Sequence, residues 1–448
     1  MTATRRNKQK HIISSTATMK EQQETLKKEL GIMDVAINVV NITVGGGIFL
    51  LPALIAVILG NSSIIAYLVC GCMFLLVALC YAEVSSRITE SGGSYIYLEK
   101  AFGPYVGFLA NQAFWFAYGT VIAAALLNGA GDLLSVPFPA FSTLPYRALL
   151  FLLILAAFAY INIRGIKQGM IAVKTFTAIK LVPLVGIVVL GIFAINPDNI
   201  SWPEWPSFAR LGEASLVLFF AFAGGETALN ISGEMKNPSR TGPLGLMLGV
   251  GSLVVFFGLI HLVAQGVLGA DLINHTKAPL AQVANVLVGP WGFTFVVSCA
   301  VISVTGSLNS VVMVFPRVMY AGANKKMLPK LLSRIHPRFN TPYLAIIWFC
   351  IVAFTISISG GFKQLIILAT ITMLLTFFGV ALAAIKFRLK PSAEFKASFL
   401  IPGGLTVPVL TIILIFWYLY QSKPVEIVGI SIFTAVVTLI YLVRKFNV

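Results

Sequence analysis

Asn41–Phe49 reads NITVGGGIF, and its three consecutive glycines interrupt an apolar segment that covers residues 33–59. That segment is long enough to cross a bilayer as a helix. Three glycines inside a helix cost about 3 kcal/mol relative to alanine, and unwound backbone in hydrocarbon leaves amide groups unpaired. Such a break is tolerated where it lines a cavity and its backbone groups bind a ligand. The stretch therefore predicts a binding site near the middle of a membrane, as in a transporter.

The composition excludes an ordinary soluble protein. Of the 448 residues, 58% are hydrophobic and only 11% are charged, whereas soluble chains average about 25% charged residues. Twelve apolar segments reach or approach the roughly 20 residues of a spanning helix, which predicts an all-α integral membrane protein with twelve transmembrane helices. The segments are 33–59, 63–86, 104–128, 146–163, 172–195, 214–234, 242–268, 289–320, 342–359, 363–386, 400–420 and 424–443.

The net charge of +16 reports membrane topology. Of the 32 Lys and Arg residues, 26 lie on one side of the predicted membrane and five on the other, which is the positive-inside distribution. It predicts two cytoplasmic tails, residues 1–32 and 444–448, and allows an amphipathic helix around Met19–Leu30. The basic residues are then expected to contact anionic membrane lipid and not nucleic acid. The expected location is a bacterial inner membrane.

A second glycine break lies at Phe219–Thr227, which reads FFAFAGGET and places a carboxylate inside an apolar stretch. Gly224 follows Gly46 by 178 residues, and each break lies in the first helix of a five-helix set. Two broken helices at matching places in two halves indicate inverted repeats around a site at the membrane midplane. The predicted division is a first repeat at 33–195, a second repeat at 214–386 and two further helices at 400–443.

The two breaks offer backbone groups of opposite polarity. The half-helix that begins near Gly47 presents free N–H groups and the positive end of its dipole, which suits a carboxylate. The half-helix before the second break frees carbonyls near Phe222 and Ala223, which suit an ammonium group. Together the breaks fit a zwitterion such as an amino acid. The alternative is close helix packing through small residues, which usually lie four apart and not side by side.

Two charged residues inside apolar segments are candidates for coupling transport to an ion. Glu226 could carry a proton or neutralise a cation, or it could be a structural carboxylate held by a buried backbone group or hydroxyl. Lys180 could be an internal ammonium in the place of a bound cation, able to lose its proton when buried, or it could snorkel to the interface. A polar stripe in the eighth segment that could receive the ammonium consists of Ser303, Thr305, Ser307 and Asn309.

The remaining polar residues give no further site. Glu83 and Glu234 lie near segment ends and are expected to face water. The four histidines are scattered, and the chain contains no phosphate loop, nucleophile elbow or paired catalytic carboxylates. We therefore expect no enzyme activity, no cofactor and no metal site. The five cysteines all lie in apolar segments and are expected to be packed thiols without disulfides.

Several motifs resemble signatures of the amino acid–polyamine–organocation superfamily of permeases, and the match covers most of the first ten segments. The motifs are Gly45–Pro52 (GGGIFLLP), Gly92–Tyr95 (GGSY) with Ala101–Pro104 (AFGP), Phe222–Glu226 (FAGGE) with Glu234–Arg240 (EMKNPSR) and Pro243, and Gly306–Asn309 (GSLN) with Arg317. Taken together, these motifs are specific for the superfamily.

The resemblance implies a LeuT-type five-plus-five inverted repeat with broken helices 1 and 6 and alternating access. It implies that the substrate carboxylate meets amides near Gly46 and Gly47, while the amine meets carbonyls of helix six. It also implies that Lys180 replaces a sodium ion and that Ser307 lies near it. The candidate substrate-binding residues are Thr43, Gly45, Gly46, Gly47, Phe220, Phe222, Ala223, Gly225 and Glu226, and the candidate coupling residues are Lys180, Ser307 and Glu226.

Two departures from the superfamily pattern bear on the substrate. Gly46 stands where relatives carry serine, so we expect carboxylate binding to rest on backbone amides and Gly46→Ser to preserve or tighten it. Phe220 and Val311 stand where the similar arginine/agmatine antiporter has its guanidinium-stacking tryptophans, which favours a neutral substrate. The expected function is a sodium-independent amino-acid permease that works by proton-coupled symport or exchange. The alternatives are a cationic amino-acid or amine antiporter that uses Glu226 and, from a different class, a non-transporting membrane receptor.

Overall fold

The computed structural model describes residues 30–88, 94–164, 166–201, 205–391 and 395–446, and describes side chains in these ranges except at 166–178, 230–234, 238–239 and 445–446. The expected N-terminal tail lies outside the described residues up to residue 29, and so does the amphipathic helix expected around Met19–Leu30, except for its last residue. Gly92 and Gly93 of one signature motif and the last two residues of the C-terminal tail also lie outside them.

Within these ranges the regular structure is helical, and no strand forms beyond an isolated bridge between Leu30 and Met235. The first half contains α1 (Ile32–Thr43), α2 (Gly47–Leu59), α3 (Ser63–Arg87), α4 (Ser94–Phe102), α5 (Pro104–Gln112), α6 (Val121–Ser135), α7 (Leu144–Arg164) and α8 (Ile166–Gly191). The second half contains α9 (Phe208–Phe222), α10 (Pro238–Leu268), α11 (Pro279–Val288), α12 (Pro290–Asn324), α13 (Tyr343–Ser357), α14 (Phe362–Leu389), α15 (Thr406–Tyr420) and α16 (Pro424–Phe446). Short 3-10 segments lie at Gly60–Ser62, Pro139–Ser142, Ile192–Ala194, Pro197–Ile200, Gly225–Glu234, Gly269–Asn274 and Lys330–Ser333, and a π-helical stretch, Ala113–Thr120, joins α5 to α6.

Eight stretches of the described chain are long and apolar enough to cross a membrane. They are Gly47–Arg87, Pro104–Ser135, Leu144–Arg164, Phe208–Leu229, Arg240–Asn274, Pro290–Asn324, Phe362–Leu389 and Pro424–Arg444. Shorter apolar helices of 10–17 residues accompany them. The chain is therefore an all-helical, multi-pass membrane protein. The finer number of twelve crossings stays a prediction, because half-length helices such as α1 do not span a bilayer by themselves.

Helical structure stops at both glycine stretches. α1 ends at Thr43 and α2 begins at Gly47, so the segment 33–59 forms two helices and not one. α9 ends at Phe222, and Gly224 has a φ of +101°, a conformation that residues with a side chain rarely adopt. The chain then continues as a 3-10 segment in place of an α-helix. The glycines thus interrupt the two helices at the points where backbone groups become available.

A pair of glycines in α10 lets α1 approach it closely. Gly245 and Gly249 are four residues apart and lie on one face of α10. A Cβ built on Gly245 would lie 2.6 Å from Cβ of Val35, and one built on Gly249 would lie 2.6 Å from Cβ of Val39. This spacing of small residues is typical of helices that pack in membranes. It fixes the first half-helix against α10 independently of the break itself.

Three helical features are not anticipated by the predicted apolar segments: α4, α11 and the π-helical stretch. α4 and α11 have 9 and 10 residues, too few to cross a bilayer. α11 begins at Pro279 and α12 at Pro290, each at the first helical position, where a proline is favoured. In the sequence, these two prolines are the signal that a short helix, α11, precedes α12. The π-helical stretch has no comparable sequence signal.

The expectation that Glu83 faces water is wrong. Its side chain is 0% exposed in α3 and accepts from Arg87 at 2.7 Å. Arg388 of α14 binds both carboxylate oxygens, and the Ile401 backbone N–H donates to Oε2 at 3.1 Å. One charge network thus joins α3, α14 and the segment before α15. Sequence proximity to a segment end does not reveal it, because Arg388 lies 305 residues away. The side chain of Glu234 lies outside the described residues.

Glu83→Gln is expected to lower the free energy of unfolding by about 3–5 kcal/mol, because it removes a buried carboxylate and leaves the guanidinium groups of Arg87 and Arg388, 6% and 14% exposed, without it. Thermal unfolding of the detergent-solubilised protein measures this as a lower midpoint. Glu213→Gln is the matched control. Glu213 and Lys363 pair at 3.4 Å with side chains 48% and 43% exposed, and such a pair contributes about 0–1 kcal/mol. Equal midpoints for the two variants would contradict a structural role for the Glu83 network.

Candidate functional site

Each glycine of the first break packs against a different neighbour. Two of these neighbours belong to α12 and one to α9, so the break sits where both helices approach α2. The contacts, measured from a Cβ built on each glycine, are Gly45 to Ser307 Oγ at 3.3 Å, Gly46 to Val304 Cγ2 at 2.8 Å and Gly47 to Phe220 Cδ1 at 3.2 Å. A gap below 3.0 Å leaves no room for a side chain at Gly46 unless Val304 moves.

The second break packs on the end of α1. A Cβ built on Gly224 would lie 3.2 Å from Cγ2 of Ile42, and one built on Gly225 would lie 2.9 Å from Oγ1 of Thr43. Thr227 stabilises the turn, because its N–H and its hydroxyl both donate to the Gly224 carbonyl, at 2.9 and 2.6 Å. The two breaks therefore face each other directly, although 178 residues separate Gly46 from Gly224.

The paired breaks bring backbone donors and acceptors together. The Val44 N–H closes α1 by donating to the Val40 carbonyl at 2.9 Å. The Phe49 N–H donates to the Gly46 carbonyl at 3.2 Å, whereas the amides before it at the start of α2 have no partner inside their helix. The same holds for the last carbonyls of α9, around Phe222. The amides lie at a positive dipole end and the carbonyls at a negative one. This arrangement can hold an anionic and a cationic group of one small molecule.

Two aromatic side chains near the second break have different surroundings: the Phe222 ring is part of the apolar core, and the Phe220 ring lies at the first break. The Phe222 ring packs against Phe257 at 5.1 Å and Phe74 at 6.0 Å between centroids, so only its backbone is available to a ligand. The Phe220 ring touches the first break and meets Phe362 edge to face at 6.2 Å. Phe220 is therefore the aromatic side chain of α9 placed at the contact between the two breaks.

Thr43 places a hydroxyl at the contact between the breaks. It is buried, and its Oγ1 has no hydrogen-bond partner among the residues that the structure describes. Burying a hydroxyl without a partner costs free energy. A ligand carboxylate or ammonium at this place would supply the missing bond. Thr43 is thus a side-chain contact available to a ligand, next to Gly225.

Glu226 is held by its own turn. Its side chain is buried, and Oε2 accepts from the Gly224 N–H at 3.0 Å. This contact matches the structural alternative for Glu226, a carboxylate paired with a buried backbone group. It also fixes the carboxylate beside the second break, so a structural role and a role in transport remain compatible.

Lys180 is internal and does not snorkel. It lies on α8 with 6% exposure, and its Nζ donates to the carbonyl of Asn41. Asn41 belongs to the last turn of α1, whose carbonyls lack partners within the helix and form the negative end of its dipole. The ammonium therefore occupies a place that suits a cation, immediately beside the first break.

The polar stripe of α12 does not act as a single receptor for this lysine. The Thr305 hydroxyl donates to the Val301 carbonyl of its own helix at 2.8 Å. Asn309 accepts from Asn162 of α7 at 2.9 Å. Ser303 Oγ has no partner in the described part of the chain. Of the four stripe residues, Ser307 is the one that packs against a glycine of the break.

Sequence reasoning missed three residues of this site: Asn41, Ile42 and Val304. Asn41 could have been found, because a buried ammonium needs an acceptor and the end of a broken helix supplies carbonyls. Ile42 and Val304 are apolar residues among many, and only the fold brings them to the glycines. The expectation that Gly46→Ser preserves binding therefore overlooks Val304, which fills the space a serine would need.

Gly46→Ser is now expected to destabilise the protein by about 1–3 kcal/mol through overpacking and to reduce transport. Adding Val304→Ala should restore most of the unfolding midpoint, because it removes two of the three nearest atoms, including the closest, and leaves Leu126 Cδ2 at 3.2 Å. Gly251→Ser in α10 is the control, since a Cβ there meets nothing within 4 Å. The unfolding midpoints of the parent protein, the two single variants and the double variant are compared by thermal unfolding. A Gly46→Ser midpoint equal to that of Gly251→Ser would contradict the crowding.

The chain is similar to known proteins along most of its length. A family model described as amino acid permease matches residues 30–443. The chain is 30% identical to the serine/threonine exchanger SteT of Bacillus subtilis (strain 168) over 409 residues, 88% of this chain and 91% of the relative. It is 26% identical to the methylthioribose transporter of the same organism over 455 residues, 95% of each chain. It is 24% identical to the branched-chain amino acid permease BcaP, also of Bacillus subtilis, over 439 residues, 94% of this chain and 93% of the relative.

The match therefore extends from the start of α1 almost to the end of the last helix, and includes both glycine breaks. The three relatives are named as an exchanger, a transporter and a permease, and the alignment covers more than nine tenths of each of them. The chain belongs to the amino acid permease family of the amino acid–polyamine–organocation superfamily.

Proposed function

We propose that this protein is a sodium-independent permease for neutral amino acids that works by alternating access, as a proton-coupled symporter or as an exchanger. The observation that carries the proposal is the direct contact between the two glycine breaks, Gly225 on Thr43 and Gly47 on Phe220. We call the space between the amides at the start of α2 and the carbonyls at the end of α9 the socket. Its amides match the carboxylate of an amino acid, and its carbonyls match the ammonium group. In this proposal the breaks belong to inverted repeats at 33–195 and 214–386, and both termini are cytoplasmic.

The substrate's two charged groups are assigned to opposite walls. Its carboxylate binds the amides at Gly45, Gly46 and Gly47, where the dipole of α2 is positive. Its ammonium binds carbonyls at Phe222 and Ala223, where the dipole of α9 is negative. The Thr43 hydroxyl, Gly225 and Phe220 complete the socket, and the absence of a Cβ at the glycines leaves space for the substrate side chain.

Sodium independence is proposed from Lys180. Its ammonium already binds the Asn41 carbonyl at the end of α1, and a second cation at the same carbonyl would be repelled. Ser307 lies on the neighbouring helix against Gly45. In this proposal the Lys180 ammonium replaces a bound sodium ion, because its hydrogen bond to the Asn41 carbonyl holds the end of α1 in position.

A neutral substrate is proposed from two observations. The second break offers one buried carboxylate, Glu226, and one of its two oxygens already accepts from the Gly224 N–H of its own turn at 3.0 Å. Two of the relatives are named for serine, threonine and branched-chain amino acids, all of which have uncharged side chains. The third relative is named for methylthioribose, which has neither the carboxylate nor the ammonium that the socket fits.

The test is uptake into proteoliposomes that contain the purified full-length protein. A thermal-shift screen of the twenty amino acids, polyamines and methylthioribose first identifies ligands, because a ligand of the folded state raises the unfolding temperature. Uptake of the best ligand is then measured with sodium and proton gradients varied separately and with unlabelled substrate inside. Transport of a neutral amino acid without sodium supports the proposal. Strict sodium dependence, or transport of methylthioribose alone, would overturn it.

Lys180→Ala is expected to reduce uptake roughly tenfold or more, since removing a charged hydrogen bond of about 1.5–3 kcal/mol releases the end of α1. Lys363→Ala is the control, because that lysine is 43% exposed and pairs with Glu213 at the surface. Both variants are compared with the parent protein for uptake and for unfolding midpoint. Full uptake by Lys180→Ala would exclude the coupling role.

The alternative of a cationic amino-acid or amine antiporter makes a different prediction. In that case Glu226 neutralises the substrate's positive charge, and Glu226→Gln abolishes exchange of cationic substrates. Under the favoured proposal the parent protein does not exchange them, and Glu226→Gln changes mainly the pH dependence of uptake. A non-transporting receptor would bind an amino acid in the thermal-shift screen and give no counterflow in liposomes.

A further inference from the structure

A large apolar cavity lies away from the two breaks. Its volume is about 670 Å³, which is within the range of small-molecule sites. One wall consists of α4, α5 and the π-helical stretch, the opposite wall is α14, and α16 closes one side. Representative lining residues are Phe102, Phe116, Leu368, Leu382, Gly429 and Phe433.

The cavity offers little to a polar ligand. The hydroxyls of Thr372 and Thr376 donate to carbonyls of their own helix at 3.0 and 3.1 Å, and the Ser359 hydroxyl donates to the Ile356 carbonyl at 2.8 Å. A buried water needs two to four polar partners, and an amino acid needs partners for both of its charges. An empty cavity would forfeit the dispersion contacts of its lining. Hydrocarbon is the occupant that this lining fits.

The cavity is long as well as apolar. Along α14 its lining runs from Leu365 to Leu382, a length of roughly 25 Å at the rise of an α-helix. The hydrocarbon core of a bilayer is about 30 Å thick. An extended lipid acyl chain therefore matches the cavity in direction and in length, because both lie across the membrane.

One end of the cavity carries a positive charge. Lys386 lies one turn beyond Leu382 and is exposed; its Nζ donates to the Ala101 carbonyl at 2.6 Å and lies 5.2 Å from the ring centroid of Phe102, a lining residue. An ammonium has three N–H donors, so two remain for a phosphate. α14 continues here to Arg388, and Lys390 follows directly after its last residue. Both lie on the side of the predicted membrane that carries most of the Lys and Arg residues.

α16 is held beside the cavity by a few contacts. The Tyr105 hydroxyl meets the Thr438 hydroxyl at 2.7 Å, and the Phe116 ring stacks on Phe433 at 5.5 Å. Most of the remaining surface of α16 is exposed. A chain in the cavity would add contacts between α16 and α14 that side chains alone do not make.

We infer that the cavity is a binding site for an anionic phospholipid, with an acyl chain between α14 and α16 and the phosphate on Lys386. The site is separate from the proposed amino-acid socket and does not depend on what the protein transports. It joins α16 to the rest of the bundle. Gly429 of α16 lines the cavity, and a Cβ built on it meets nothing within 4 Å.

The test uses phosphatidylglycerol with a photoactivatable diazirine in its acyl chain. The full-length protein is reconstituted with this lipid, irradiated and digested, and labelled peptides are identified by mass spectrometry. Labelling is expected on α14 and the π-helical stretch. Gly429→Trp should lower that labelling roughly fivefold or more by filling the cavity, since a Cβ at Gly429 meets nothing within 4 Å. Val428→Trp is the matched control, because Val428 is 55% exposed and is not a lining residue.

The headgroup is tested separately at Lys386, an exposed residue whose substitution leaves the packed core intact. Labelling by phosphatidylglycerol is compared with labelling by a phosphatidylcholine that has the same photoactivatable chain. Lys386→Ala should reduce the preference for phosphatidylglycerol roughly fivefold, and Lys386→Arg should keep it. Equal labelling in Gly429→Trp and Val428→Trp would overturn the cavity. An unchanged lipid preference in Lys386→Ala would overturn the phosphate contact. Cross-links between two copies through α16, without lipid label on α14, would show instead that a second copy covers the cavity.

Discussion

The structure depends on the close contact between two helix breaks. A Cβ built on Gly225 would lie 2.9 Å from Thr43 Oγ1, and one built on Gly47 would lie 3.2 Å from Phe220 Cδ1. Unwound backbone in hydrocarbon is costly unless its polar groups find partners. Placing the two breaks together concentrates that cost at one point, where donors of α2 and acceptors of α9 can share a ligand. The helices that flank the breaks, α1, α2 and α9, then fix the distance between the two breaks.

Buried charge is handled in the same way throughout the bundle, because each charged group that the structure places inside meets a partner of fitting polarity. Glu83 binds two guanidinium groups and the Ile401 N–H. Lys180 binds the Asn41 carbonyl at a negative helix end, and Glu226 binds the Gly224 N–H. The Glu83 network joins the C-terminal ends of α3 and α14 to the segment before α15. The other two contacts lie at the breaks, where the end of α1 packs against Gly224 and Gly225.

The sequence predicts the parts of this protein that depend on local composition. An apolar chain with glycine-interrupted segments indicates a helical membrane protein, and the family follows from motifs around both breaks. What it does not predict depends on contacts between distant residues. Glu83 looks like an interfacial carboxylate until Arg388 is placed beside it. Gly46 looks like a position open to serine until Val304 is placed against it. Short helices such as α11 escape notice because hydropathy detects elements that span a membrane, and these do not.

The two breaks are proposed to form one socket for both charges of an amino acid. The most direct test is equilibrium binding of the preferred amino acid to the purified protein, beside two analogues with the same side chain. One analogue is the amine that lacks the carboxylate, and the other is the N-acetyl derivative that lacks the ammonium. Both analogues are expected to bind at least roughly tenfold more weakly, a loss of about 1.4 kcal/mol or more of binding free energy for each lost charge. An analogue that binds as tightly as the amino acid would contradict the proposed socket, because one of the breaks would then take no part in binding.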